Sequence, residues 1–139
     1  MKSLNTKATL IIQKLYEAMS DPKYRQNEDG NYAKIHNNPN LMAVVVEKVG
    51  NLAGYGEIIS IAHYGEQNGD LMADPEMTFT IVGGEYYPVS FRNDYVGIYQ
   101  EVFNFNEDGE PEAINTKLQS DLIAFANTWM KSIQEQQKL

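Results

Sequence analysis

Residues 63 to 76 crowd His63, Tyr64, Glu66, Gln67, Asn68, Asp70, Asp74 and Glu76 into fourteen positions, more hydrogen-bonding and titratable groups than a connecting loop requires. An imidazole beside carboxylates can move protons, and oxygens at alternate positions, such as Asn68 and Asp70 about Gly69, suit calcium or magnesium. The spacing argues against both. An EF-hand loop needs oxygens at its first, third and fifth positions, glycine at the sixth and glutamate at the twelfth, and that register is absent. One histidine without a second nearby does not make a usual zinc site. General acid-base work needs two carboxylates whose proton affinities are pushed apart; Asp70, Asp74 and Glu76 are the candidates, but nothing in their linear order makes them converge.

Other chemistries fare worse. The serines lack a GxSxG elbow, no GxxxxGK[ST] phosphate cradle exists, and His36 sits in a polar loop. No catalytic residue, metal or cofactor is therefore assigned. The plain reading of His63 and Tyr64 is the end of a strand, with one ring packed and the other capping backbone. The plain reading of the remaining groups is a self-satisfied network pinning a strand crossing. The functional reading makes His63, Tyr64, Glu66, Asn68, Asp70, Asp74 and Glu76 a binding surface, with help from Asp108, Glu110 and Glu112. A small-ligand or divalent-metal site, or a hydrolase site, in the same segment is the alternative.

Charge sharpens the choice. Residues 49 to 112 hold twelve acids against one base, Arg92, a local net of −11 within a chain of net −8. Such a middle repels phosphate backbones, so direct nucleic-acid binding through it is not expected, whereas a basic protein surface would be attracted. The bland alternative is a solvated face that keeps the chain soluble. The nine tyrosines suit cross-strand packing; two or three on an open sheet face among carboxylates would instead give an amphipathic contact surface.

The elements that must position these groups are readable from periodicity. Ala8, Ile11, Ile12, Leu15, Tyr16 and Met19 form one apolar stripe and predict a helix over Thr6 to Ser20, ending before Pro22. Residues 21 to 40 are turn-rich, with room for a short strand around Tyr32 to Ile35. Five strands follow: Leu41 to Val49, Tyr55 to His63, Met77 to Val82, the return after Gly83-Gly84, and Tyr95 to Phe103. The return strand puts Tyr87, Val89 and Phe91 on one face and Tyr86, Ser90 and Arg92 on the other. A final helix starts near Asn115, and Leu118, Leu122, Phe125, Trp129 and Ile133 give it a large apolar face. The expectation is one α+β domain over residues 1–139, a meander sheet of about five antiparallel strands packed on N- and C-terminal helices. A half-barrel curled around the last helix is the variant.

With 139 residues and no cysteine, the chain suits a single core and excludes disulfides, thiolate metal sites and a cysteine nucleophile. The N-terminus reads as a helix, not a signal peptide. No apolar run approaches the roughly 20 residues that span a bilayer, so a cytoplasmic chain without a membrane partner is expected; its oligomeric state is left open.

The run ISIAHYGEQNGDLMADPEMTF, through His63-Tyr64, Glu66-Gln67-Asn68-Gly69-Asp70 and Asp74-Pro75-Glu76-Met77, resembles the signature segment of an uncharacterised domain-of-unknown-function family of small proteins from phages, plasmids and conjugative elements. The looser likeness covers residues 40 to 135. It implies a mobile-element setting and brings no reaction, ligand or catalytic residue. By analogy within that setting, a non-enzymatic acidic protein would occupy a basic surface of a host protein, as an inhibitor or nucleic-acid mimic.

Overall fold

Asn5 opens the first helix by accepting a bond from the Ala8 amide at 2.8 Å, which satisfies one of the free donors of the first turn. In the computed structural model, which describes residues 1–139, this helix α1 spans Thr6–Ala18 and buries Ala8, Ile11, Ile12, Leu15 and Ala18. Eight strands follow: β1 (Tyr32–Ile35), β2 (Val44–Leu52), β3 (Gly56–Gln67), β4 (Asp70–Val82), β5 (Glu85–Asn93), β6 (Ile98–Glu101), β7 (Phe103–Phe105) and β8 (Pro111–Ile114). Helix α2, Thr116–Gln137, closes the chain, with Asn115 as its N-cap.

The fold is α+β. Strands β1 to β6 form one antiparallel meander in sequence order, and β7 and β8 form a separate two-stranded hairpin. The sheet thus has six strands where about five are expected. The extra one is β1, whose four residues are held on their outer edge by Lys34 donating to the Tyr24 carbonyl and by the Tyr32 carbonyl accepting from Gln26.

The polar stretch after His63 is not a crossing between strands. It is the distal half of the β3–β4 hairpin, whose two-residue turn is Asn68-Gly69 with φ of 53° and 86°. Both central angles are positive, as the turn that matches strand twist requires, and Asn-Gly is the pair that adopts them most easily. A further difference is at the other end of the sheet: Tyr95 lies in the turn between β5 and β6, and the run to Phe103 is split between β6 and β7.

Alternation then sorts side chains between two faces. Ala33, Ile35, Val44, Val46, Ile59, Ile61, Met77 and Phe79 enter one core with α1 and α2. Helix α2 runs across this face: Phe125 meets Phe91 of β5, Trp129 meets His63 of β3, and Gln137 accepts from Asn37 ahead of β2. The bulge in β5 reverses one expectation. Thr78 pairs with Ser90 but Phe79 with Pro88, so Val89 is the extra residue. Tyr86 therefore turns inward and is buried in the core, and Tyr87, not Tyr86, shares the opposite face with Ser90 and Arg92.

Candidate functional site on the helix-free face of the sheet

The second face of the sheet carries no helix. Register places two rows of side chains across it: Tyr32, Glu47, Ser60, Thr78, Ser90 and Glu101 in one, Lys34, Val45, Ala62, Glu76, Arg92 and Tyr99 in the other. Glu47 and Glu76 flank the central strand β3 from opposite sides. Ser60 donates to Glu76 Oε2 at 2.8 Å and the Tyr64 hydroxyl donates to the same oxygen at 3.3 Å.

The electrostatics of this group follow from partial burial without a counter-ion. Desolvation, and then the neighbouring Glu76 carboxylate, raise the proton affinity of Glu47. Burial, helped by Glu76 and Glu47, pushes the Tyr64 phenol well above its ordinary value, so it stays a donor at any physiological pH. Arg92 stands opposite Glu76 in the register, but its guanidinium is taken by Asp94, 2.6 Å from Nε. That bond, and then the amide of Ala73, hold the Asp94 carboxyl below the usual range. The other ion pair of the chain, Lys117–Asp121, lies on α2, so Glu47 and Glu76 form no salt bridge.

Beside this group lies a hollow of about 510 Å³ between β1, the connection to β2, and the ends of β3 and β4. Tyr32, Leu41, Met42, Val45, Tyr64 and Leu71 line it, together with Lys34 and His36. Leu41, Met42 and Leu71 are exposed there.

The residues singled out in the sequence go to different places. Tyr64 and Glu76 meet on the helix-free face. His63, its neighbour in sequence, points the other way into the core, where it lies edge-on to Trp129 and contacts the Ala43 carbonyl at 3.1 Å through Nδ1. A carbonyl only accepts, so Nδ1 carries the proton. Burial lowers the pKa of this imidazole, against the opposing pull of that bond. Glu66, Asn68 and Asp70 sit exposed at the hairpin tip. Asp74 lies at the β4 irregularity, bonded by Asn93 at 3.3 Å. No three His, Asp or Glu side chains converge in a metal-ligating arrangement.

Asp108, Glu110 and Glu112 belong to the β7–β8 hairpin. It packs beside the turn before β3, through Phe103 against Tyr55 and through Glu110 and Pro111 beside Ala53 and Gly54. That turn and the tip at Asn68 are separated by the length of β3, roughly 37 Å. The two acidic tips therefore stand at opposite ends of the sheet.

The sequence pattern of one family matches residues 11–139, which covers every strand and all of α2. The chain belongs to DUF6908, a domain of unknown function. Comparison with curated proteins and with solved structures gives no match. This DUF6908 domain has no helix long and apolar enough to cross a membrane.

Glu47, Ser60 and Arg92 are the members of the candidate site whose place beside Glu76 the linear pattern does not reveal. They lie on β2, β3 and β5 and meet Glu76 only through register. The available signal was Asn68-Gly69: read as a two-residue hairpin turn, it pairs Gln67 with Asp70 and brings Tyr64 close to Glu76.

Proposed function

We propose that this is a non-enzymatic interaction protein that presents the helix-free, carboxylate-bearing face of its sheet to a partner protein with a basic surface. The observation that carries this reading is the segregation of charge between the two layers. Residues 49 to 112, from the end of β2 through β8, have the net of −11 given above, whereas the helical segments 1–20 and 115–139 carry six bases against three acids, a net of +3. A molecule polarised in this way is oriented in the field of a basic partner before contact, sheet first. On the sheet face, Glu47 and Glu76 have no ion pair to break before they meet an arginine or lysine. Tyr64 and Tyr99 beside them add amphipathic area at low entropic cost.

The setting we propose is the cytoplasm of a bacterial cell carrying a phage or other mobile element, with the partner a host protein whose basic surface otherwise holds nucleic acid. The test is recovery of partners from a bacterial lysate by the wild type and by a Glu47→Gln, Glu76→Gln double variant over a salt series. Partners lost from the variant, lost as salt rises, and competed by DNA support the reading. Recovery that is equal for both proteins and insensitive to salt sinks it.

A second reading draws on the hollow beside Tyr64, whose largely aromatic and aliphatic lining with Lys34 and His36 suits a small apolar anion. Thermal stabilisation by a medium-chain fatty acid, lost in Leu71→Ser, would favour it.

A further inference from the structure

The two edges of the sheet are treated differently. At one edge, Tyr24 and Gln26 bond to the outer side of β1. At the other, all four residues of β6 are exposed, and their backbone has no partner beyond β5. Val102 gives its amide to the Val89 carbonyl at 2.8 Å, so by strand alternation Tyr99 and Glu101 direct their N–H and C=O groups away from β5 into solvent. Val96, Ile98 and Tyr99, in and beside this strand, are exposed.

We infer that β6 is a docking edge for an extended, basic segment of a partner protein, which joins the sheet as a seventh strand. This rests on the basic-partner reading above and adds the place and form of the contact. Charge decides the occupant. From residue 93 to 112 the chain holds six acids and no base, and Arg92, opposite Tyr99 on β5, is neutralised by Asp94, so a second copy pairing edge to edge would bring like charges together, whereas lysines alternating along a foreign strand would face Glu101. Tyr99 then lies beside the lysine stems on that face, and Ile98 flanks the apolar side chains at the intervening positions.

The probe is a seven-residue peptide alternating lysine and valine, titrated against the wild-type protein, with a glutamate-for-lysine counterpart and a version N-methylated on alternate backbone nitrogens. The expected result is salt-dependent binding of the lysine peptide, slowed hydrogen exchange at the Tyr99 and Glu101 amides, no binding of the glutamate peptide, and binding about tenfold weaker for the N-methylated form. Tyr99→Pro, which removes an outward amide at an edge position that tolerates proline, should weaken binding to a similar degree. The N-methylated peptide makes the same test on unaltered protein, so a folding defect in that variant does not obscure the outcome. Binding that ignores both N-methylation and Tyr99→Pro would overturn the edge while leaving the basic-partner reading intact. No binding of any basic peptide or of polylysine would remove both. Self-association abolished by Tyr99→Pro would place a second copy on the edge and overturn the occupant.

Discussion

Glu47 and Glu76 stand on strands two apart, yet both lie against the same segment of β3, Ser60 to Ala62, on the face that no helix covers. Glu76 has hydroxyl donors in Ser60 and Tyr64, and Glu47 has no side-chain partner of this kind. Desolvation, and then the neighbouring Glu76 carboxylate, raise the pKa of Glu47. A raised carboxyl pKa means that the folded state binds the proton more tightly than the unfolded one. Its burden on stability is full above the folded pKa and is relieved as pH falls toward the ordinary glutamate range near 4.3. Glu47→Gln should then raise stability at pH 7 by about 0.5 kcal/mol, the size expected for a screened, half-exposed group. The gain should shrink as the two proteins are melted at successively lower pH. A gain that does not change with pH would point to packing instead of charge.

His63 carries the opposite sign. Burial holds its pKa below the ordinary value near 6.5, so the unfolded chain binds the proton more readily. The stabilisation is present above pH 6.5 and is lost as pH falls through the depressed folded value. Denaturant midpoints of the wild type should drop between pH 7 and pH 5 more steeply than those of His63→Leu. The variant should also start about 1–2 kcal/mol less stable, because the Ala43 carbonyl loses its donor. Parallel pH profiles for the two proteins would show that His63 does not titrate in this range.

The contrast between His63 and Tyr64 shows what one dimension conveys. Both helices were legible, because the stripes from Ala8 to Met19 and from Leu118 to Ile133 repeat at helical spacing and Asn115 offers a cap for the second. The meander was legible from its short turns, with Gly83-Gly84 forming the one between β4 and β5. The binding segment was less so. Strand alternation sends His63 and Tyr64 to opposite faces, which a list of adjacent polar residues conceals. The inward turn of Tyr86 depends on the extra residue Val89, and a β-bulge has no reliable signature in composition. The Glu47–Glu76 arrangement needs the register of three strands at once.

Gly56 is required by contact, not by backbone angle. A Cβ at this position would stand 2.0 Å from the carbonyl oxygen of Ile81, a backbone atom fixed in the sheet, and the Gly56 carbonyl is itself bonded by Thr80 Oγ1 at 3.1 Å. Gly56→Ala must push β3 and β4 apart near the turn. The expected loss is about 3 kcal/mol, roughly 10 °C in Tm for a chain of this size. Gly54→Ala, at φ +79° with open space around it, should lose only about 1 kcal/mol through strain. Thermal melts of the two variants side by side check the order; equal losses would mean that the Ile81 contact relaxes freely.

Gln137 links the far end of α2 to the hollow on the opposite side of the sheet edge. Its side chain is fully buried. Oε1 accepts from the Asn37 amide at 2.7 Å, and Nε2 donates to the Met42 carbonyl at 3.0 Å. Those two bonds hold both ends of the connection whose Leu41 and Met42 line the hollow. Gln137→Ala removes the partner of the half-buried Asn37 amide and of the Met42 carbonyl and leaves a cavity where a fully buried side chain stood, so it should cost about 2–3 kcal/mol. The same change should free the connection locally: hydrogen exchange over residues 37 to 42 should quicken more than in the centre of β3, because the strand ladder is untouched. Gln137→Glu keeps the acceptor for Asn37 but sets a carboxylate against the Met42 carbonyl, and it should match the alanine variant in loosening Met42. Uniform acceleration across the whole sheet in either variant would show that α2 supports the core alone and does not control the shape of the hollow.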